Sequence, residues 1–171
     1  MNTLLRMTTL CASLALAGCA QPLFYQTPSV GEPVAAVIAK RGQPTGSYPA
    51  LDGGQMLEYA TGPFGQFTWM AHIGPDGRMV SYEQVLTGEK FATIKVDHAN
   101  KLDVLRTIGR PAEESRVRLR NYEVWSYRYK EAGVWNSLMH VHFDEAGIVR
   151  QMMKGTDPMF AVRDGLVVPA M

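Results

Sequence analysis

Two Gly-x-Pro stops constrain this chain more than any other feature. Gly42-Gln43-Pro44 and Gly109-Arg110-Pro111 lie 67 residues apart. Each follows a short amphipathic stretch. Val34, Val37 and Ile38 fall at i, i+3 and i+4, the spacing of one helix face, and Pro33 suits a first helical turn. In the second copy Asp97 reads as an N-cap, and Ala99, Leu102, Leu105 and Ile108 line one face. Glycine can take a left-handed cap and the proline then stops the helix. Strand and turn signals follow each stop. In the first copy the strands are expected over 55–60, 66–73 and 78–86, separated by Gly62-Pro63-Phe64-Gly65 and Gly74-Pro75-Asp76-Gly77. In the second they are expected over 116–120, 123–130, 135–143 and 148–153. Leu57-Glu58-Tyr59 corresponds to Trp125-Ser126-Tyr127, and Asp76-Gly77 to Ala146-Gly147. The expected fold is therefore α+β, two tandem units of a helix plus an antiparallel sheet. One unit of roughly 65 residues has a small core, and two packed together bury more.

The first residues carry a different message. Arg6 is the only charge in residues 1–18, and the apolar run after it is too short to cross a bilayer, which takes about 20 residues. It fits a secretory signal. The segment ends Leu16-Ala17-Gly18-Cys19, which resembles the bacterial lipobox. That resemblance implies cleavage before Cys19, diacylglycerol on its sulfur and acylation of its new amino group. Ala20 after the cysteine implies export to the outer membrane. Cys11 is then discarded and Cys19 is capped, so no thiol remains for a disulfide, a metal or a nucleophile. Residues 19–33 form a lipidated tether with three prolines. Its Leu23, Phe24 and Tyr25 would lie at the membrane interface or dock on the domain. The units follow at 34–90 and 91–155, and 156–171 is a C-terminal tail.

Composition narrows the function. Of the 171 residues, 17 are basic and 16 acidic, for a formal charge of +1, which excludes wholesale binding to nucleic acid. The chain holds no Gly-x-Ser-x-Gly, His-Glu-x-x-His, Cys-x-x-Cys or phosphate-loop motif. Glu113-Glu114 fits a solvated face. His140 and His142 share a strand face as a metal pair would, but no third ligand is evident and a polar outer face is the better reading. Arg116, Arg118 and Arg120 alternate onto one strand face, where they could meet anionic lipid headgroups or an acidic partner. Phe64 sits in a tight turn as a possible partner contact. Trp69, Trp125, Trp135, Tyr122, Tyr127 and Tyr129 could form an exposed recognition surface, but core is the better reading, with Trp125, Tyr127 and Tyr129 alternating onto one face.

Taken together, lipobox, helix, Gly-x-Pro, Trp-x-Tyr and a strand ending Val-x-Phe-Asp-x-x-Gly-x-Val resemble the SmpA/OmlA domain of outer-membrane lipoproteins. The domain is also found in BamE of the barrel-assembly machinery. Val104, Leu105, Gly109, Pro111, Trp125, Tyr127, Val141, Phe143, Asp144, Gly147 and Val149 carry the resemblance. The first copy matches through Gly42, Pro44, Trp69, Asp76 and Gly77. The chain departs from the family in having Asp97-His98-Ala99 where a Gly-Met-Thr start is usual, and two copies where BamE has one. The resemblance implies a helical pair on an antiparallel sheet, and tandem copies look like the β-lactamase inhibitor protein architecture. It implies a non-catalytic protein on the periplasmic face of the outer membrane, with no cofactor beyond the lipid on Cys19. Its partners would be the membrane and an envelope protein, with no nucleic acid and no small-molecule substrate. The function expected is scaffolding in envelope maintenance, extending to outer-membrane protein assembly. The alternative is a periplasmic enzyme-inhibitor-like binding protein.

Overall fold

The computed structural model describes residues 26–160 and the backbone of 162–163 and 166–167. The signal segment, Cys19 and Leu23–Tyr25 lie outside the described residues. The architecture is α+β, with two four-stranded antiparallel sheets and few helices.

Helix α1, Val34–Arg41, places Val37 in the core and ends at Gly42, whose φ is +80° and whose N–H donates to the Ile38 carbonyl at 2.8 Å. Glycine accepts that dihedral without the Cβ clash other residues meet. The first sheet follows as a meander: β1 Gly46–Pro49, β2 Gln55–Ala60, β3 Thr68–Ile73 and β4 Met79–Gln84. Strand alternation splits its side chains. Leu57, Tyr59, Ala71, Ile73 and Met79 pack with Val37 under α1. Tyr48, Met70 and Val85 pack on the opposite face, with Met56 beside them.

Two helices lead to the second sheet. Helix α2, Gly88–Thr93, starts at Thr87, whose hydroxyl accepts from the Lys90 N–H. Helix α3, Lys101–Ile108, starts at Asn100. There Asn100 and Asp103 each bond the other's backbone N–H, a reciprocal box that satisfies two otherwise orphaned donors. The expected cap, Asp97, lies outside the helix with φ +65° and pairs instead with Arg150. Strands β5 Glu113–Val117, β6 Tyr122–Glu131, β7 Trp135–Phe143 and β8 Val149–Thr156 complete the sheet in that order. Trp125, Tyr127, Tyr129, Val141 and Phe143 face Val104 and Ile108 of α3 and Phe91 of α2. Leu105 also reaches the Tyr48–Met70–Val85 cluster, so α3 packs against both sheets. Burying each such aliphatic side chain contributes about 1.5–3 kcal/mol. A unit boundary at 90/91 falls inside α2.

The two sheets repeat the same strand order and several of the same helix-to-turn bonds. Val34 N–H donates to Gly77 O, and Lys101 N–H to Gly147 O. Pro33 bridges Arg78 as Asn100 bridges Ile148. Both β-bulges fall one step before the turn, at His72/Ile73 and His142/Phe143. Gly109 has the same φ, +80°, as Gly42. The copies diverge in length: β6 and β7 have 10 and 9 residues, whereas β2 and β3 have 6 each.

One expectation fails at the β5 hairpin. The strand expected over 116–120 ends at Val117, and residues 118–121 form the turn. Pairing closes at Val117↔Tyr122, with Asn121 in the left-handed region at φ +52°. Leu119 is 94% exposed, so no burial rewards extending the ladder. Arg116 therefore stays on the strand, whereas Arg118 and Arg120 belong to the turn and do not share its face.

Candidate functional site at the sheet seam and the hairpin tips

Glu58 sits at the centre of β2 and is only 1% exposed. The alternation that sends Leu57 and Tyr59 toward α1 sends Glu58 the other way, into the seam between the units. Its Oε1 accepts from Thr45 Oγ1 at 2.8 Å. Its Oε2 accepts from Tyr48 Oη at 2.5 Å and from the Arg110 backbone N–H at 2.9 Å. The last bond crosses from the first sheet to the stop after α3. On the same stop, Tyr127 Oη donates to the Gly109 carbonyl at 3.1 Å. Burial pushes the Tyr48 phenol well above its usual range, and its bond to Glu58 adds to that. Burial likewise raises Tyr127. Each phenol is thus held neutral as a donor, and both Glu58 oxygens are engaged. The group is a clasp between the copies. A cavity of about 280 Å³ opens beside it, lined by Thr45, Glu58, Arg110, Tyr127 and Arg128.

The β2–β3 loop, residues 61–67, follows the strand that carries Glu58. Gln66 is 9% exposed and its Nε2 donates to Asn136 Oδ1 at 2.9 Å. Asn136 stands at the start of β7, so this bond ties the loop to the β6–β7 turn. The Asn136 carbonyl accepts from the Asp157 N–H at 3.1 Å. Asp157 is fully buried and pairs with Arg128 of β6. Around these polar links the apolar side chains turn outward. Phe64 and Trp135 are each 69% exposed, Val134 64% and Phe67 44%. The loops satisfy their own polar groups: Thr61 Oγ1 donates to the Phe67 carbonyl, Gly65 N–H to Gly62 O and Val134 N–H to Glu131 O.

A second cavity, about 530 Å³, lies at the end of α1 and is lined by Arg41, Gln43, Tyr59 and Trp69 among others. The Arg41 guanidinium stands 5.4 Å from the Tyr82 ring centre, and Trp69 stacks on Tyr82 at 5.2 Å.

The remaining sequence candidates separate in space. His140 and His142 do share the sheet face opposite Val141 and Phe143. His140 Nδ1 lies 2.9 Å from Ser126 Oγ, and His142 packs edge-on against Tyr122. Burial, then the neighbouring His140, lowers the His142 pKa. Asp144 turns away to bond the Ile148 N–H and Arg150. Among the described residues no three His, Cys, Asp or Glu side chains gather into a metal-holding group. Arg116, Arg118 and Arg120 are all exposed, and Arg116 bonds Asn121 Oδ1 at 2.9 Å. Trp125, Tyr127 and Tyr129 are core, at 6%, 1% and 2% exposure, whereas Trp135, expected in the core with them, stands at the β6–β7 turn and is exposed. Sequence reasoning missed Glu58 as a site residue, along with Gln66, Asn136 and Asp157. Only Glu58 left a signal, as a carboxylate inside the run Met56-Leu57-Glu58-Tyr59-Ala60.

No family model matches the chain, and no curated protein or solved structure is significantly similar to it.

Proposed function

We propose that this chain is a non-catalytic outer-membrane lipoprotein, anchored through Cys19 on the periplasmic face, that acts as a protein-binding or scaffolding module. The reading takes the two sheets as tandem SmpA/OmlA-like units, an arrangement like that of β-lactamase inhibitor protein. What carries it is the duplicated helix–stop–meander, with Gly42 and Gly109 in the same conformation and the helix-to-turn bonds repeated at Gly77 and Gly147. These positions coincide with those that carry the family resemblance. The Glu58 clasp joins the copies, as a scaffold needs. The contact with an envelope protein is assigned to the exposed turn at Arg118 and Arg120 with Arg116 beside it, which suits an acidic surface. A role in outer-membrane protein assembly is the finer form of the proposal. The inhibitor-like alternative asks for an exposed aromatic row on a sheet, whereas the Trp125–Tyr127–Tyr129 row is buried.

Crosslinking in intact cells tests the proposal, with a photoreactive residue at position 118 and a Cys19→Ala control. Capture of one envelope protein that requires Cys19 is the expected result. Reproducible absence of a protein adduct, with the chain correctly exported, would remove the scaffolding reading. A soluble periplasmic enzyme as the captured species would favour the inhibitor.

A further inference from the structure

The two hairpin tips joined by Gln66 and Asn136 have no assigned role, and their chemistry is unlike the rest of the surface. No Asp, Glu, Lys or Arg occurs from Ala60 to Pro75 or from Ala132 to Phe143. Phe64, Phe67, Val134 and Trp135 all stand out from these uncharged segments. Four exposed large apolar side chains thus sit on two loops that the Gln66–Asn136 bond ties together, a cluster termed the knob. Exposed apolar clusters of this kind mark interaction sites. Insertion into an apolar phase is less costly where polar groups are already paired, and within these loops the Thr61, Gly65, Gly133 and Val134 N–H groups bond loop or strand-end carbonyls while the Gln66 and Asn136 side chains bond each other. Lys130 stands just behind the knob, its Nζ 3.5 Å from the Val134 carbonyl.

We propose that this knob inserts into the headgroup–acyl boundary of a phospholipid bilayer, giving the protein a second membrane contact besides its lipid anchor. The proposal rests on the anchored part of the function above. Indole and phenyl side chains favour that boundary, and Lys130 is placed to reach headgroup phosphates. The tether permits it. The described chain joins the body at Pro28, which is buried, and Gly31 N–H bonds Met79 O beside the β3–β4 turn. The knob lies at the other end of β3, whose six residues span roughly 20 Å at ~3.3 Å each. Residues 19–27 can reach roughly 30 Å, so anchor and knob can meet one bilayer. The second contact would fix which face of the module looks away from the membrane, and with it the orientation of the Arg118 turn.

The test uses the otherwise intact Cys19→Ala chain, which has no anchor of its own. Flotation is measured with vesicles of pure phosphatidylcholine and of phosphatidylethanolamine with one quarter phosphatidylglycerol. Binding to both is expected, with less than about a twofold change between 0.05 and 0.5 M salt, because the knob is uncharged. Bromine-labelled acyl chains should quench the tryptophan emission, and Trp135→Phe should remove that quenching. Phe64→Ser with Trp135→Ser should weaken binding by about tenfold or more while leaving thermal unfolding unchanged, since both side chains are exposed. No flotation, or flotation indifferent to the double substitution, would overturn the proposal. So would photocrosslinks from positions 64 and 135 in cells that land on a protein and not on lipid. A missing crosslink at position 118 with vesicle binding intact would count against the scaffolding reading alone.

Discussion

Removing the Glu58 carboxylate should loosen the seam more than any other single polar substitution. Glu58→Ala strands the buried Tyr48 Oη and takes the carboxylate from two partly exposed donors, the Arg110 N–H and Thr45 Oγ1, the latter keeping the Glu58 backbone carbonyl as an acceptor. A buried group left unpaired costs about 1–3 kcal/mol. Only the Tyr48 donor is shut away from water, and solvent can re-pair much of the rest, so a total of about 2–3 kcal/mol is expected. Domains of this size hold roughly 5–15 kcal/mol in all. Glu58→Gln is the informative companion. Its carbonyl oxygen can take the position that serves Tyr48 and Arg110, and its NH₂ can donate to Thr45, whose hydroxyl can rotate to accept. The loss should then be about 1 kcal/mol or less. Urea unfolding read by tryptophan emission and by far-ultraviolet dichroism gives both numbers and shows whether the sheets melt together. If Glu58→Ala loses less than about 1 kcal/mol, the clasp argument is wrong. If Glu58→Gln costs as much as Glu58→Ala, the charge and not the acceptor geometry carries the stability.

Gly109→Ala should lose more than the cost of its dihedral alone (φ +80°, ψ −163°, a nearly glycine-only region), about 1–3 kcal/mol. A Cβ there would meet Glu58 Oε2 at 2.8 Å, and thermal unfolding reads the loss. Asp157→Ala leaves the Arg128 guanidinium without its buried partner and should cost about 3–5 kcal/mol. Amide exchange should localise the loosening to residues 128–136 and 157–160, and a change spread evenly over both sheets would refute the local reading. The tyrosines make stability fall in alkali. Tyr48 and Tyr127 have raised pKa values in the fold, whereas unfolded tyrosine ionises near pH 10. Their contribution is complete below about pH 10 and is lost as pH rises through the folded values. Tyr48→Phe should flatten that decline in an unfolding series from pH 8 to 11. His142 acts oppositely. Its depressed pKa gives a contribution present above about pH 6.5 that is lost as pH falls through the folded value, and His142→Asn should reduce the loss between pH 7.5 and 5.

The repeat was legible because its signals are local. A helix stop needs only its own glycine and proline, and tight turns announce themselves at Asp76-Gly77 and Ala146-Gly147. The core row Trp125, Tyr127, Tyr129 was legible from alternation alone. Helix α2 was not, because six residues carry too few turns to show a period, and Thr87 signals a cap only once a helix follows. β1 was hidden in the same way by its length and its two awkward residues, Gly46 and Pro49. The β5 error has a different origin. Alternation continues through Leu119 and Arg120, but where the ladder stops is decided by pairing with Tyr122 and by the left-handed Asn121, neither of which alternation reports. Of the knob only Phe64 was legible, from its tight turn; the clasp and the ties between the loops were not, because their partners are remote in sequence: Glu58 with Arg110, Gln66 with Asn136, Arg128 with Asp157.

Duplication alone would produce two equal units, and the places where the copies differ are where the candidate sites lie. Glu58 holds the position that Ser126 holds in the second sheet. Thr45 N–H donates to the Glu58 carbonyl as Ala112 N–H donates to that of Ser126, so the backbone is shared while the side chains part. In the first copy the position faces the partner unit and carries a carboxylate that binds across the seam. In the second it faces away and carries a small hydroxyl beside His140. The longer β6–β7 hairpin is the second divergence. Its extra length carries Trp135 out to 69% exposure and brings Asn136 to Gln66. A common core thus accounts for the fold of each copy. The residues that join the copies and the residues that project from them are those the repeat does not share.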